Sequence, residues 1–221
     1  MANMFRPEGK FAHYGGKLAD IMWLNVLVFL CCLPVVTAGA AVSAMHYVLL
    51  KIHRDEEGKI AATFFKAFRD NFKQATVTFL IFGTVLFLLL VNLQIVFTGQ
   101  VERAGILWYV LLIAAVIAIS IFNWSLILLS RYKSTLWGTI RLAITLCFAY
   151  PLRSVVMAAL AVLPAAMLLM AAENLTIVLM AGIALTGLVQ TLLYNRVFKR
   201  LENDTTQKKT DEQPDAEGNE A

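Results

Sequence analysis

The polar side chains set inside the long apolar runs of this sequence are few, and each has a short chemical repertoire. Asp20 stands three residues from Lys17, the spacing at which a carboxylate and an ammonium pair along a helix. Unpaired inside a membrane, such a carboxylate would instead be a proton or cation site. His46 and His53 are seven apart and share a helical face, but two imidazoles without a third ligand make a poor metal site. Glu173 falls in the short turn Ala172-Glu173-Asn174, where exposure to water accounts for it. Asn25, Asn92, Gln94, Asn123, Gln190 and Asn195 are neutral polar groups suited to linking helices by hydrogen bonds or, less commonly, to lining a permeation path. Cys31, Cys32 and Cys147 have the spacing of neither a zinc site nor a disulfide framework and read as small packing residues. No nucleophile elbow, Walker loop, H-E-x-x-H pair or dinucleotide glycine fingerprint is present. Enzyme is therefore the weakest class, with no catalytic residue, metal or cofactor expected.

The elements that must position these groups are membrane helices. The 221 residues are 59% hydrophobic and 15% charged, with a mean hydropathy of +0.70. A soluble domain has roughly 45 to 50% apolar and about 25% charged residues. The net charge of +4 comes from short basic clusters between apolar runs, which suits a bilayer and argues against nucleic acid. Leu18 to Leu50 would make a straight helix about 50 Å long, against a hydrocarbon core of about 30 Å. Pro34 at its midpoint predicts a break into two arms, with Gly39 and Ser43 as a small-xxx-small pair beyond it. Ala75 to Phe97, Gly105 to Leu129, Ser154 to Ala172 and Leu175 to Tyr194 each have the length of one span. The basic opening before Leu18 resembles a signal peptide, but the apolar pattern continues past Ala38-Gly39-Ala40, so the segment is expected to be retained.

The expected fold is all-α and polytopic, with six hydrophobic segments, the first pair broken at Pro34, plus amphipathic cytoplasmic helices. A six-crossing arrangement puts 18 of the 19 basic residues on the inside, leaving Arg103 outside, whereas five crossings would put four outside. Hence the domains expected are a cytoplasmic segment over 1–17, one transmembrane domain over 18–201 and a disordered cytoplasmic tail over 202–221. The protein is placed in the cell membrane with both termini cytoplasmic. Shifting the sequence by 80 residues lays Lys51 on Arg131, Phe68 on Phe148, Phe72 on Leu152 and Lys73 on Arg153, a hint of a parallel repeat.

The largest wet feature begins at Arg54-Asp55-Glu56-Glu57-Gly58 and continues as a short amphipathic helix from Ile60 to Gln74. There Ile60, Phe64, Phe68 and Phe72 share a face, with Lys66, Arg69, Asp70 and Lys73 away from it. Such a greasy face meets a bilayer surface or a partner's groove. Arg54, Asp55, Glu56, Glu57, Phe64, Phe68, Arg69, Phe72 and Lys73 are accordingly the candidate docking residues. Asp55-Glu56-Glu57-Gly58 shares only its acid-then-glycine character with the coupling segment of bacterial sugar permeases.

The series Leu24-Asn25, Cys32-Leu33-Pro34-Val35-Val36-Thr37-Ala38-Gly39, Tyr47-Val48-Leu49-Leu50-Lys51, Arg54-Asp55-Glu56-Glu57-Gly58 and Phe64-Phe65-Lys66-Ala67-Phe68-Arg69-Asp70-Asn71-Phe72-Lys73-Gln74-Ala75-Thr76 resembles the YesL family of bacterial integral membrane proteins. The likeness is close over Leu18 to Thr76, looser from Arg131 to Leu168 and absent in the tail. The family is a domain of unknown function and carries over no catalytic residue. The resemblance implies a Gram-positive type of host and an operon setting with ABC-type oligosaccharide importers and their two-component regulators. The expectation that follows is an accessory protein of carbohydrate uptake, docking on a sugar ABC transporter or sensor-kinase subunit, with a homo-oligomer also open. The alternatives are a small permease with its substrate site at the Pro34 break, and a structural membrane scaffold.

Overall fold

The computed structural model describes residues 10–54, 56, 58–98, 105–132, 135–170 and 182–211. Among these it contains helices and no strand: α1 (Lys10–Cys32), a 3-10 turn (Val35–Thr37), α2 (Ala38–His53), α3 (Ile60–Phe97), α4 (Gly105–Arg131), α5 (Leu136–Ala149), α6 (Pro151–Met170) and α7 (Ile183–Asp211). α1, α2 with its leading turn, α3 and α4 are each long and apolar enough to cross a membrane, and the bent pair α5–α6 makes a fifth if taken as one span. The remaining apolar run of the sequence, Leu175 to Tyr194, begins outside the described residues. The fold is thus that of an all-α polytopic membrane protein.

Its exposed surface is apolar where that of a water-soluble protein would be polar, and its interior holds polar side chains among the apolar core. Phe87, Leu88, Leu90, Phe97, Ile106, Tyr109 and Ile113 are exposed, while Asn25, Ser43, His46, Asn123, Ser125, Gln190 and Thr191 are buried. Lipid tails solvate the first set without cost, and they cannot hydrogen-bond the second, which must face protein.

The chain breaks at Pro34. Proline has no N–H to continue a helix and pushes the residue before it out of the α region. α1 ends at Cys32, and Pro34 itself is extended (φ −77°, ψ 110°). Thr37 repairs the gap: its hydroxyl lies within reach of the carbonyls of Cys31 and Pro34, and its N–H donates to the Pro34 carbonyl at 2.9 Å. Beyond the break α2 opens with Ala38-Gly39-Ala40-Ala41, a run of small residues that lets neighbours approach closely. α1, α3, α4 and α7 all pack against α2, most of whose side chains are buried.

α3 is one continuous helix of 38 residues rather than a short amphipathic helix followed by a separate span. No proline interrupts it, and at about 57 Å it reaches well beyond the hydrocarbon at one end. Its aromatic row faces inward. Phe64 is fully buried with Ile21, Leu24, Val48 and Ile52, and Phe68 and Phe72 pack half-buried against the same bundle. Their rings follow one another at 6.1 and 5.5 Å. Phe64 and Phe68 therefore clamp α3 onto α1 and α2, and Phe68 and Phe72 clamp it onto α2 and α4, so the row is not an exposed docking face; the i, i+4 spacing identified a buried stripe without identifying what buries it.

The second half shows the same succession of elements with one difference. α4 is followed by α5 and α6 as α2 is by α3, but α5 and α6 meet at 112°, where α3 runs straight. Pro151 explains the bend, being suited to the first turn of α6 and unable to continue α5. Ser154 seals it, its hydroxyl lying 3.2 Å from the Cys147 carbonyl and 3.0 Å from that of Tyr150 while accepting the Trp124 indole N–H at 2.9 Å.

α7 continues past Leu201 to Asp211, so the expected tail is helical over 202–211, while 212–221 lies outside the described residues. No glycine or proline occurs after Gly187 until Pro214, so nothing in the sequence stops the helix earlier.

Candidate functional site

Two concavities gather polar groups. The first, of about 200 Å³, lies at the basic end of the bundle, lined by Tyr47 from α2, Lys66, Ala67, Asp70 and Asn71 from α3, and Leu129, Ser130, Arg131 and Tyr132 at the end of α4. Sequence positions 66 and 131 thus share one end of the molecule. The Arg131 guanidinium lies 4.5 Å from the centroid of the Phe198 ring of α7 and 5.7 Å from that of Tyr132. Lys51 lies over the Tyr47 ring at 5.4 Å. Cations stacked on ring faces are held electrostatically, which orients charges that would otherwise sample many rotamers.

Of the candidate docking residues, Arg54, Glu56, Arg69 and Lys73 are exposed, whereas Phe64 is core and Phe68 and Phe72 are half-buried. Asp55 and Glu57 lie outside the described residues. The outward face of α3 carries Phe65 in place of the expected phenylalanines: Phe65, Arg69 and Lys73 lie within about a quarter turn of each other at 100° per residue, on the face adjoining the buried stripe. Phe65, half exposed, escaped the sequence reading because it is out of step with the i, i+4 row.

The second cavity, of about 150 Å³, is internal to the spans. It is lined by Ala38 and Gly39 just past the Pro34 break, by His46 lower on α2, by Phe79 and Phe122, and by Asn123, Pro164, Thr186 and Gln190. Most of the lining is apolar. Two of its amides are used structurally: Asn123 donates to the Met157 carbonyl at 3.0 Å and Gln190 to the same oxygen at 3.2 Å. His46 differs, being buried with its Nδ1 lacking a hydrogen-bond partner. His53 is exposed at the far end of α2, and among the described residues no three histidine, cysteine, aspartate or glutamate side chains gather as metal ligands.

One polar residue works at longer range than the sequence suggested. Asn25, fully buried in α1, accepts the backbone N–H groups of Ile183 and Ala184 at 3.2 and 2.9 Å and so caps the start of α7. Its partners lie 158 and 159 positions away, beyond any local pattern.

The all-α bundle, with its apolar exposed surface and its helices long and apolar enough to cross a membrane, defines a polytopic membrane protein. The family described as "Protein of unknown function, DUF624" matches residues 21–93, which span α1 from Ile21, all of α2 and α3 almost to its end. The match covers the Pro34 break, the Asn25 cap and the first wall of both concavities. No curated protein and no solved structure matches the chain.

Proposed function

We propose that this chain is an accessory membrane protein of ABC-type carbohydrate uptake, seated in the cell membrane with its basic end and both termini cytoplasmic. It docks on a transporter or sensor subunit through the outward face of α3. The observation that carries the docking is the exposed set Phe65, Arg69 and Lys73 on a helix that its inward aromatics pin to the bundle. A rigidly held helix presenting one aromatic beside two cations offers an anchor with charges next to it, the composition that interfaces favour. The link to carbohydrate uptake rests on the resemblance to the YesL family, and the cytoplasmic placement on the excess of basic residues at that end.

The test is purification of the tagged full chain from its native membrane. A sugar-transporter or sensor subunit is expected to copurify, and Arg69→Glu with Lys73→Glu is expected to reduce the yield of partner by about five-fold or more with the melting temperature in detergent unchanged. Copurification of neither subunit, together with unchanged growth of a deletion strain on complex glycans, overturns the reading. Serine at Phe64 would be a poor probe, since it opens the core.

A second reading, a small permease, is favoured by the internal cavity beside the helix break, since interrupted helices are where membrane transporters place their sites. Reconstituted vesicles would then accumulate a sugar or an ion, and His46→Leu would abolish uptake while leaving the chain folded. Vesicles that accumulate neither remove this reading and leave the docking proposal standing.

A further inference from the structure

We propose that the cleft between α2, α3 and α4 binds a singly charged phosphate ester, supplied by the headgroup of an anionic phospholipid. Its walls carry two cations, Lys66 and Arg131, against one acid, Asp70, a lining charge of +1 that matches the single negative charge of a phosphodiester. Lys51, held over the Tyr47 ring, adds a further positive charge beside that wall. Asn71, Tyr47 and Tyr132 add an amide and two phenols to the residues of the same lining, the Ser130 hydroxyl being donated to the Ile127 carbonyl of its own helix. Arginine presents a planar fork suited to two phosphate oxygens, and the rings of Phe198 and Tyr132 fix the plane of Arg131. Lysine binds phosphate as a point charge and is exposed here at position 66, within reach of a headgroup entering from the side.

Depth favours a lipid over a soluble ester. The cleft lies where α4 ends at Arg131 and where α3 passes from its charged part into the apolar run beginning at Ala75. That is the level of the headgroups for both helices. Tyrosines at this level are the usual interfacial anchors, and basic pockets between spans on the positively charged side are where anionic headgroups dock. The volume of about 200 Å³ equals roughly seven water shares, enough for a phosphate with its flanking carbons. The acyl chains would then lie along the exposed apolar flanks outside the cleft.

The experiment is thermal unfolding of the purified full chain in a non-ionic detergent, titrated separately with phosphatidylglycerol, phosphatidylcholine and inorganic phosphate. Phosphatidylglycerol is expected to raise the melting temperature at concentrations at least about five-fold below those of phosphatidylcholine. Lys66→Glu, at an exposed position, should weaken that response by about five-fold or more, while Lys59→Gln, exposed but outside the cleft, should leave it unchanged. Protection by inorganic phosphate equal to that by phosphatidylglycerol would assign the cleft to a soluble ester and overturn the lipid source. Equal responses to the two lipids, or equal responses of the Lys66→Glu and Lys59→Gln proteins, would overturn the site itself.

Discussion

Asn25→Leu is expected to unseat α7. The side-chain oxygen of Asn25 accepts from the N–H groups of Ile183 and Ala184, two of the donors that the first turn of any helix leaves without an internal partner. In water such donors would turn to solvent. Here the cap is fully buried among Ile21, Leu24 and Val28, so nothing replaces the lost acceptor. An unsatisfied buried amide costs roughly 1 to 3 kcal/mol, and with two of them the loss should be about 2 to 5 kcal/mol. At about 2 to 4 °C per kcal/mol for a chain of this size, the melting temperature in detergent should fall by roughly 4 °C at least. Asn92→Leu is the matched control, since Asn92 is exposed and, among the described residues, donates to the carbonyl of Leu88 on its own helix, at 2.7 Å. That variant should unfold within a degree or two of the parent by the small cost of exposed substitutions. Equal melting temperatures for the two variants would show that Asn25 is not a structural cap.

The contrast between these two asparagines marks how far the amino-acid sequence can be read. Apolar runs of membrane length foretell spans because lipid imposes one length on every helix that crosses it, and the stops at Cys32 and Ala149 follow from Pro34 and Pro151. Which polar residue becomes a cap and which faces outward depends on a neighbour more than 150 positions away. The same limit applies to the aromatic stripe on α3. A row at every fourth residue is equally good at meeting a partner, a bilayer or the protein's own α1 and α2, and the last of these is where Phe64 lies. The basic cleft escaped the sequence for a related reason, since Tyr47, Lys66 and Arg131 belong to three helices whose shared end only the packing reveals.

Alanine at Gly39 is expected to disrupt the packing of α2 on α3. A Cβ there would sit 2.6 Å from the Phe79 Cβ and 2.7 Å from the Ala75 carbonyl oxygen, closer than real Cβ atoms come to either. Neither obstacle can swing aside, because one is the root of a side chain and the other is backbone. α2 and α3 must part along the segment where Ala40 and Ala75 are fully buried, loosening both the core and the wall of the internal cavity. Overpacking of this kind costs about 1 to 3 kcal/mol. Gly187 is tight in a different way, since its Cβ would meet the Met45 Cε at 2.6 Å and the Leu49 Cδ1 at 2.9 Å, the far ends of side chains that can re-pack. Gly83, inside α3 with nothing within 4 Å, should gain up to about 1 kcal/mol from alanine through helix propensity. The melting temperatures of the three alanine variants should therefore rank Gly83 above Gly187 above Gly39. A Gly39→Ala protein as stable as Gly83→Ala would mean that α2 and α3 do not approach this closely, and the packing that shapes the bundle around α2 would have to be drawn differently.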